Sequence, residues 1–517
     1  MPPEPIDTPA WVRDAVFYQV FPDRFARSAR LTAPGPFQPW EAPPTYHGFK
    51  GGDLYGVADR LPELADLGVT ALYLTPIFTS ASNHRYHTDD YRAVDPLLGG
   101  DAALRELLDN AHDRGMRVIL DGVFNHCGRG FEPFHHVVEN GADSPYRDWF
   151  YLDPAVLAGQ RGLDAYPDRT GMPPTPESLG YKAWWGLPAL PKLAVETAAV
   201  REYLLETAEH WLRFGADGWR LDVPAEIDDE AFWQEFRRRC RAVDPQAYLV
   251  GEIWNEAPEW LRGDRFDALM NYPLGAAILG FAAGGKFDRT VIEAHGTYRE
   301  TLHLLDGPAF GQRLDHLMTV YDPAVTAVQL NLLGSHDAPR ALTVLARDKA
   351  AMRIAVLLQF TLPGAPCIYY GDEIAMEGAG DPDCRRAFPV DPKAGDQDMR
   401  AFVKAVIAAR RENRALRTGT VTVLAATRSA VALLRQADGQ RALVVVNAGR
   451  QAESIAVELP GPGWGRFRAL ALPGWRSPSS DDPSSANPGA PARLSLTLPP
   501  QVGLVLLEDA TSPSTRP

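Results

Sequence analysis

Three apolar runs, widely separated in the chain, each stop just short of a carboxylate. Gly218–Leu221 leads to Asp222, Tyr248–Val250 to Glu252 and Val328–Leu333 to Asp337. A fourth run, Val118–Leu120, leads through Asp121 to Asn125 and His126. A short apolar run bounded by turn residues reads as a buried strand. Several buried strands that all deliver polar side chains at their C-terminal ends restrict the fold. In a (β/α)8 barrel every strand C-terminus opens onto one face, and chemistry is done there.

The intervening pattern fits that architecture. Ala15–Phe21 and Thr70–Leu74 read as the first two strands, Arg117–Val123 as the third, then Gly218–Asp222, Tyr248–Gly251, Ala268–Asn271, Val328–Leu333 and Cys367–Tyr370. Between strands two and three, Leu104, Leu107, Leu108 and Ala111 repeat at the spacing of one buried helical face. Gly115 is expected to cap that helix. A second helix is expected from Thr197 to Phe214, with Val200, Leu204, Trp211 and Leu212 inward. The expected fold is an α/β TIM barrel over residues 1–126 and 197–416.

The connection from His126 to Thr197 breaks the rhythm, at about seventy residues where a βα loop usually takes about 2–6. Residues 127–196 are therefore expected to form a small inserted domain B that overhangs the face carrying His126. From about residue 417 the pattern changes to short strands: Val421–Ala426, Ala430–Arg435, Ala442–Asn447 and Leu494–Leu498. Ala437-Asp438-Gly439 reads as a hairpin turn. An antiparallel β-sandwich is expected over 417–510, with a surface loop from Ser477 to Pro491 and a disordered tail over 511–517.

Bulk properties exclude several classes. A net charge of −14 argues against a nucleic-acid partner, which needs clustered Lys and Arg. No run approaches the ~18 apolar residues of a membrane span. Met1–Pro9 has no apolar core and does not read as a signal peptide. Cys127, Cys240, Cys367 and Cys384 include no CxxC pair and do not form a disulfide framework. A cytoplasmic protein is expected.

The four segments Asp121-Gly122-Val123-Phe124-Asn125-His126, Gly218-Trp219-Arg220-Leu221-Asp222, Gly251-Glu252-Ile253-Trp254 and Ser335-His336-Asp337, in this order, resemble the signature of the α-amylase superfamily, glycoside hydrolase family 13. The resemblance implies Asp222 as nucleophile, Glu252 as general acid/base and Asp337 as stabiliser of an oxocarbenium-like transition state. It implies His126, His336 and Tyr86 as contacts to the sugar at the cleavage point, Trp254 on the leaving-group side, and Asp381 and Arg385 toward the non-reducing end. Arg220, two residues before Asp222, points to the same side of its strand. There it is expected to keep Asp222 ionised. Glu252 has no cation next to it in sequence, and its apolar neighbours are expected to raise its pKa. Asp121 is expected to hold the site from beneath. Asn125 matches a calcium ligand of many amylases, so a structural Ca2+ is compatible with the pattern, while the metal ligand set is unknown and no cofactor is required.

Leu190-Pro191-Lys192-Leu193, Gly334-Ser335-His336-Asp337 and Trp260-Leu261-Arg262-Gly263-Asp264-Arg265-Phe266-Asp267 resemble the cyclomaltodextrinase, neopullulanase and maltogenic amylase branch. This implies a retaining hydrolase of α-1,4 bonds in cyclodextrins and short maltooligosaccharides, extending to pullulan and starch. Two enzymatic alternatives stay open, mainly transglycosylation and α-amylase action on starch. A non-catalytic glucan- or partner-binding protein is the remote one. That branch carries an N-terminal β domain that forms a dimer and narrows the cleft. Here the first barrel strand starts near Ala15, so that domain is expected to be lacking and monomer and homodimer are both open.

Overall fold

The computed structural model describes residues 6–32, 34–168, 175–461, 464, 466–475 and 493–508. Eight parallel strands build its centre: β1 (Phe17–Val20), β2 (Ala71–Leu74), β3 (Arg117–Gly122), β4 (Gly218–Leu221), β5 (Tyr248–Gly251), β6 (Ala268–Leu269), β7 (Leu330–Leu332) and β8 (Ala365–Tyr369). They pair in the order β6-β5-β4-β3-β2-β1-β8-β7. A parallel bridge between Met270 and Leu330 joins the two ends and closes the barrel.

Alternation with period two decides what fills the interior. Phe17, Ala71, Tyr73, Ile119, Tyr248, Val250, Ala268, Leu330, Leu332, Ala365 and Cys367 form one inner cluster. Tyr18, Leu72, Leu74, Val118, Leu120, Trp219, Leu221 and Leu249 instead pack outward into the main core. The same alternation turns Gln19, Asp121 and Arg220 inward, where all three are buried. Gly218 must be small. A Cβ there would meet Tyr248 O at 2.2 Å and push β4 off β5.

Helices cover the barrel. Gly100–His112 buries Ala103, Leu104, Leu107, Leu108 and Ala111, and Ala198–Arg213 buries Val200, Leu204, Trp211 and Leu212. The cap expected at Gly115 is present: the regular helix ends at His112, Gly115 N then donates to His112 O at 2.8 Å and Met116 N to Ala111 O at 2.9 Å, and Gly115 at φ +69 turns the chain into β3.

Sequence periodicity missed an antiparallel hairpin, Phe78–Ser80 with Thr88–Val94, that leaves the barrel after β2 and carries Tyr86 in its loop. Between Cys127 and Glu196 the described residues form short helices and bridges such as Phe150–Leu193 and Ala183–Pro191. It is pinned back to the barrel face where Cys127 N donates to Pro191 O and Leu193 N to Asn125 O, each at 3.0 Å.

Among the described residues seven strands follow: β9 (Thr420–Ala426), β10 (Ala430–Ala437), β11 (Gln440–Asn447), β12 (Glu453–Glu458), β13 (Phe467–Ala469), β14 (Arg493–Leu498) and β15 (Val502–Glu508). They make a sheet β9-β10-β11-β15-β13 and a pair β12-β14, all antiparallel. Ile455, Val457, Leu494 and Leu496 of the pair meet Ala432, Leu443, Val445 and Leu504 of the larger sheet in one core, giving a sandwich. Asp438 and Gly439 take φ +41 and +79, as a two-residue hairpin turn demands. Strands β12, β13 and β15 were not expected. The tail expected over 511–517 and the loop expected from Ser477 to Pro491 lie outside the described residues.

One buried arginine joins sandwich to barrel and a second ties segments of the barrel to each other, neither through a carboxylate. Arg435 donates to the carbonyls of Thr361, Gly419 and Thr420, and Arg410 to those of Phe360, Leu362, Gly364 and Leu416. Burial pushes both guanidinium pKa values down, that of Arg410 to about 10. Each buried carbonyl left without a donor costs about 1–3 kcal/mol. Arg435→Met is therefore expected to lose about 3 kcal/mol of stability, read as a lower urea midpoint. An unchanged midpoint would show that these bonds contribute nothing.

Candidate active site

Arg220 is the hub of the site. It is fully buried at the top of β4, and a charge there persists only if it is paired. Its Nη1 donates to Asp121 Oδ1 at 2.7 Å and to Asp222 Oδ1 at 3.1 Å. Its Nη2 stands 2.9 Å from Glu252 Oε2, off the line of a hydrogen bond. Asp121 Oδ2 accepts from Tyr73 OH and Tyr86 OH, both at 2.8 Å, so Asp121 does hold the floor. Glu252 Oε2 also accepts from Val223 N at 3.2 Å, and its Oε1 from Trp254 Nε1 at 3.2 Å.

This geometry corrects two expectations. Glu252 does have a neighbouring cation, supplied by Arg220. Strands β4 and β5 pair Arg220 with Val250, so Glu252, two residues on, falls on the same side. Its pKa is still raised, by burial first and by the charge of Asp337, against the pull of Arg220. Asp222 is also held well above the ordinary carboxylate value. Burial is the main cause, with the charges of Glu252, Asp121 and Asp337 adding to it, and Arg220 offsets only part. Arg220 thus orients Asp222 without making it a strong acid.

Asp337 behaves oppositely. Burial works to raise its pKa, but His336, Arg385 and Arg220 outweigh it and hold the group well below the usual range. His336 Nε2 lies 3.0 Å from Asp337 Oδ2 and 2.5 Å from Tyr86 OH. Gln19 Nε2 donates to His336 Nδ1 at 2.8 Å, which puts the ring proton on Nε2 in the tautomer this network selects. The Tyr86 and His336 rings are nearly parallel, at 4° and 5.3 Å. Arg385 donates through Nε to His336 O at 2.8 Å and through Nη2 to Asp337 Oδ1 at 3.2 Å. Its Nη1 stands 3.1 Å from Asp381 Oδ1. Gln19 was missed by the sequence reading, although a lone amide inside the apolar run Ala15–Phe21 was the available signal.

His126 stands apart from this cluster. Burial pushes its pKa down to about 3, so the imidazole is neutral. Asn125 Nδ2 lies 3.2 Å from its Nδ1, and its buried Nε2 has no partner. Trp184 stacks on it at 5.0 Å and 13°, and Trp185 stacks on Trp184 at 4.8 Å and 15°. Trp185 is 79% exposed and has φ +51, a left-handed conformation rare for a bulky residue. Neither tryptophan was singled out from sequence. Trp254 lies flat on Tyr272, at 3.7 Å and 7°.

The calcium expectation does not fit the surroundings of Asn125. Its Oδ1 accepts from the ammonium of Lys192, which also donates to Glu226 O at 2.7 Å. A cation thus already sits where a metal ion would bind. Among the described residues no group of three or more His, Cys, Asp or Glu side chains could hold an ion.

Residues 19–422 match the family model described as alpha amylase, catalytic domain. A cyclomaltodextrinase of Geobacillus thermopakistaniensis is 41% identical over 90% of this chain and 74% of its own length. The solved debranching enzyme of Nostoc punctiforme is 39% identical, with a TM-score of 0.85 over 97% of this chain and 99% of the other. A solved protein of Thermus thermophilus is 46% identical, with a TM-score of 0.82 over 97% and 100%.

Proposed function

This chain belongs to the alpha-amylase family, and from that premise we propose that it hydrolyses α-1,4-glucosidic bonds of cyclodextrins and short maltooligosaccharides with retention of configuration. Residues 1–126 and 197–416 serve as the catalytic barrel, 127–196 as the domain that overhangs it and 417–510 as the sandwich. One observation carries the mechanistic reading: a single guanidinium touches both Asp222 and Glu252. That contact favours close carboxyls, and retention works at about 5–5.5 Å, whereas inversion leaves about 6.5–9.5 Å for a water.

In the first step the Asp222 carboxylate attacks the anomeric carbon while Glu252 gives its proton to the glycosidic oxygen. The leaving chain departs with a free hydroxyl, and a glycosyl ester remains on Asp222. Water then attacks the same carbon, its proton passes to Glu252, and the Asp222 carboxylate is released. Arg220 hydrogen-bonds Asp222 and stands off the line of Glu252, which favours the proton on Glu252, and the low pKa of Asp337 keeps a negative charge facing the oxocarbenium-like transition state. The unpartnered Nε2 of His126 is available to a sugar hydroxyl.

Initial rates on β-cyclodextrin, maltotriose, pullulan and soluble starch test this reading. Fast ring opening is expected, and no turnover on any of the four would overturn it. The likeness to the Nostoc debranching enzyme favours a second reading, hydrolysis of α-1,6 bonds, and the pullulan products decide it. Four free, buried cysteines support a reducing, cytoplasmic setting. Among the described residues no helix is long and apolar enough to cross a membrane.

The stacked pair Trp184–Trp185 supports a role in holding glucan rings at the rim. An exposed, left-handed tryptophan keeps a strained backbone at about 1–3 kcal/mol, which is common where function requires it. Removing one aromatic stack costs about 0.5–1.5 kcal/mol, so Trp185→Ala is expected to lower kcat/KM for β-cyclodextrin about 2- to 10-fold. Its unfolding midpoint should stay near that of the parent. Equal kcat/KM would show that Trp185 does not touch substrate.

A further inference from the structure

A groove on the described surface opens beside the proposed acid. It has a volume of about 800 Å3 and is lined by Trp254, Glu256, Tyr272, Gln312, Arg313 and His316, among others. Its walls come from the segment after β5 and from helices Tyr272–Ala282 and Gly307–Leu317. Such a volume lies toward the upper end of ligand sites, roughly 300–1,000 Å3, and suits an oligosaccharide better than one sugar.

Two features give this groove a direction and a chemistry. Trp254 is the partition: its indole nitrogen donates to Glu252 Oε1 at 3.2 Å, and the same residue lines the groove. A general acid protonates the leaving oxygen, so the departing chain lies on the acid's side. The groove therefore continues the leaving-group side of the cleft. Its polar wall is already ordered. Glu256 holds Arg313 Nη1 at 2.6 Å and His316 Nε2 at 2.7 Å. Each group is partly exposed, and a guanidinium with one nitrogen engaged keeps further donors in a planar fork. Such fixed pairs next to an aromatic floor, here Trp254 and Tyr272, match a ring with an apolar face and an edge of hydroxyls.

We propose that this groove binds a linear α-1,4-glucan chain of several residues on the leaving-group side, with Arg313, His316 and Glu256 bonding its hydroxyls. The inference rests on the hydrolase reading above and deepens it. The groove makes the enzyme favour substrates with a long reducing-side chain.

The test compares maltoheptaose, which can reach the groove, with p-nitrophenyl α-maltoside, whose leaving group cannot. In Arg313→Ala/His316→Ala the ratio of kcat/KM for the long over the short substrate is expected to fall at least tenfold. Arg313→Lys should recover part of it. A ratio equal to the parent's, in an active protein, would overturn the groove and leave the hydrolase reading standing. Calorimetric titration of maltoheptaose into Asp222→Asn and Asp222→Asn/Arg313→Ala tests the groove independently of turnover. At least fivefold weaker binding in the double variant is expected, and equal affinities would overturn it.

Discussion

In the Asp222→Asn variant, turnover of β-cyclodextrin falls at least ~10^4-fold, the scale of losing a covalent nucleophile. Affinity for maltoheptaose stays within a few-fold of the parent's, because the amide keeps the size of the carboxyl and an oxygen for Arg220 Nη1. Misfolding does not explain the loss, and pH shows why. The folded-state pKa of Asp222 is raised, chiefly by burial, so the folded protein binds that proton more tightly than the unfolded chain. A raised acid disfavours the fold as pH climbs above the ordinary carboxylate value. The neutral amide removes that penalty. The variant should therefore unfold at a higher temperature than the parent near neutrality, with the difference vanishing below about pH 4, where the side chain is protonated in both states. Melting curves across pH read this directly. Turnover within tenfold of the parent's would remove Asp222 as nucleophile.

Arg220→Met should be the most damaging single change to stability at the site. It strips one guanidinium from Asp121, Asp222 and Glu252 at once, and breaking a buried pair this way costs about 3–5 kcal/mol. The carboxyls that remain can relieve the loss only by taking up protons, so their folded pKa values rise further. Stability of the variant should then recover as pH is lowered from 7 toward 5, while the parent changes less. Asp337 does not alter this trend between pH 7 and pH 5. Its lowered pKa contributes stability above the usual carboxylate range, which is lost only in stronger acid. Arg220→Lys should recover part of the stability but little activity, since one ammonium cannot bridge three carboxylates as a planar fork does. A destabilisation equal at pH 5 and pH 7 would mean that packing, rather than charge, is what Arg220 supplies.

How much of this was legible in the chain depended on the range of the interaction. Short apolar runs located all eight barrel strands and period-two alternation turned Arg220 toward Asp222, because both facts are local to one strand. The contact from Arg220 to Glu252 was invisible, since it depends on the register of β4 against β5. For the same reason the protonation of Asp222 was misjudged. One neighbouring cation was counted, but not the burial or the three other carboxylates. Tyr86 was singled out by motif, while the hairpin that presents it was not, because Thr88–Val94 alternates with charged residues that read as loop. Trp184 on His126 and Lys192 on Asn125 come from the long excursion after β3, whose return path no local pattern encodes. In the sandwich, β10 and β11 were readable from their long apolar runs. The alternating β12 and the three-residue β13 were not.

The most direct test of the account follows the anomeric form of the first product by 1H NMR, as the enzyme cleaves a maltooligosaccharide faster than the sugar mutarotates. Attack by Asp222 and then by water inverts the same carbon twice, so the α-anomer should appear first and the β-anomer only later. A β-anomer formed first would mean that water attacks directly, which would contradict a covalent intermediate on Asp222.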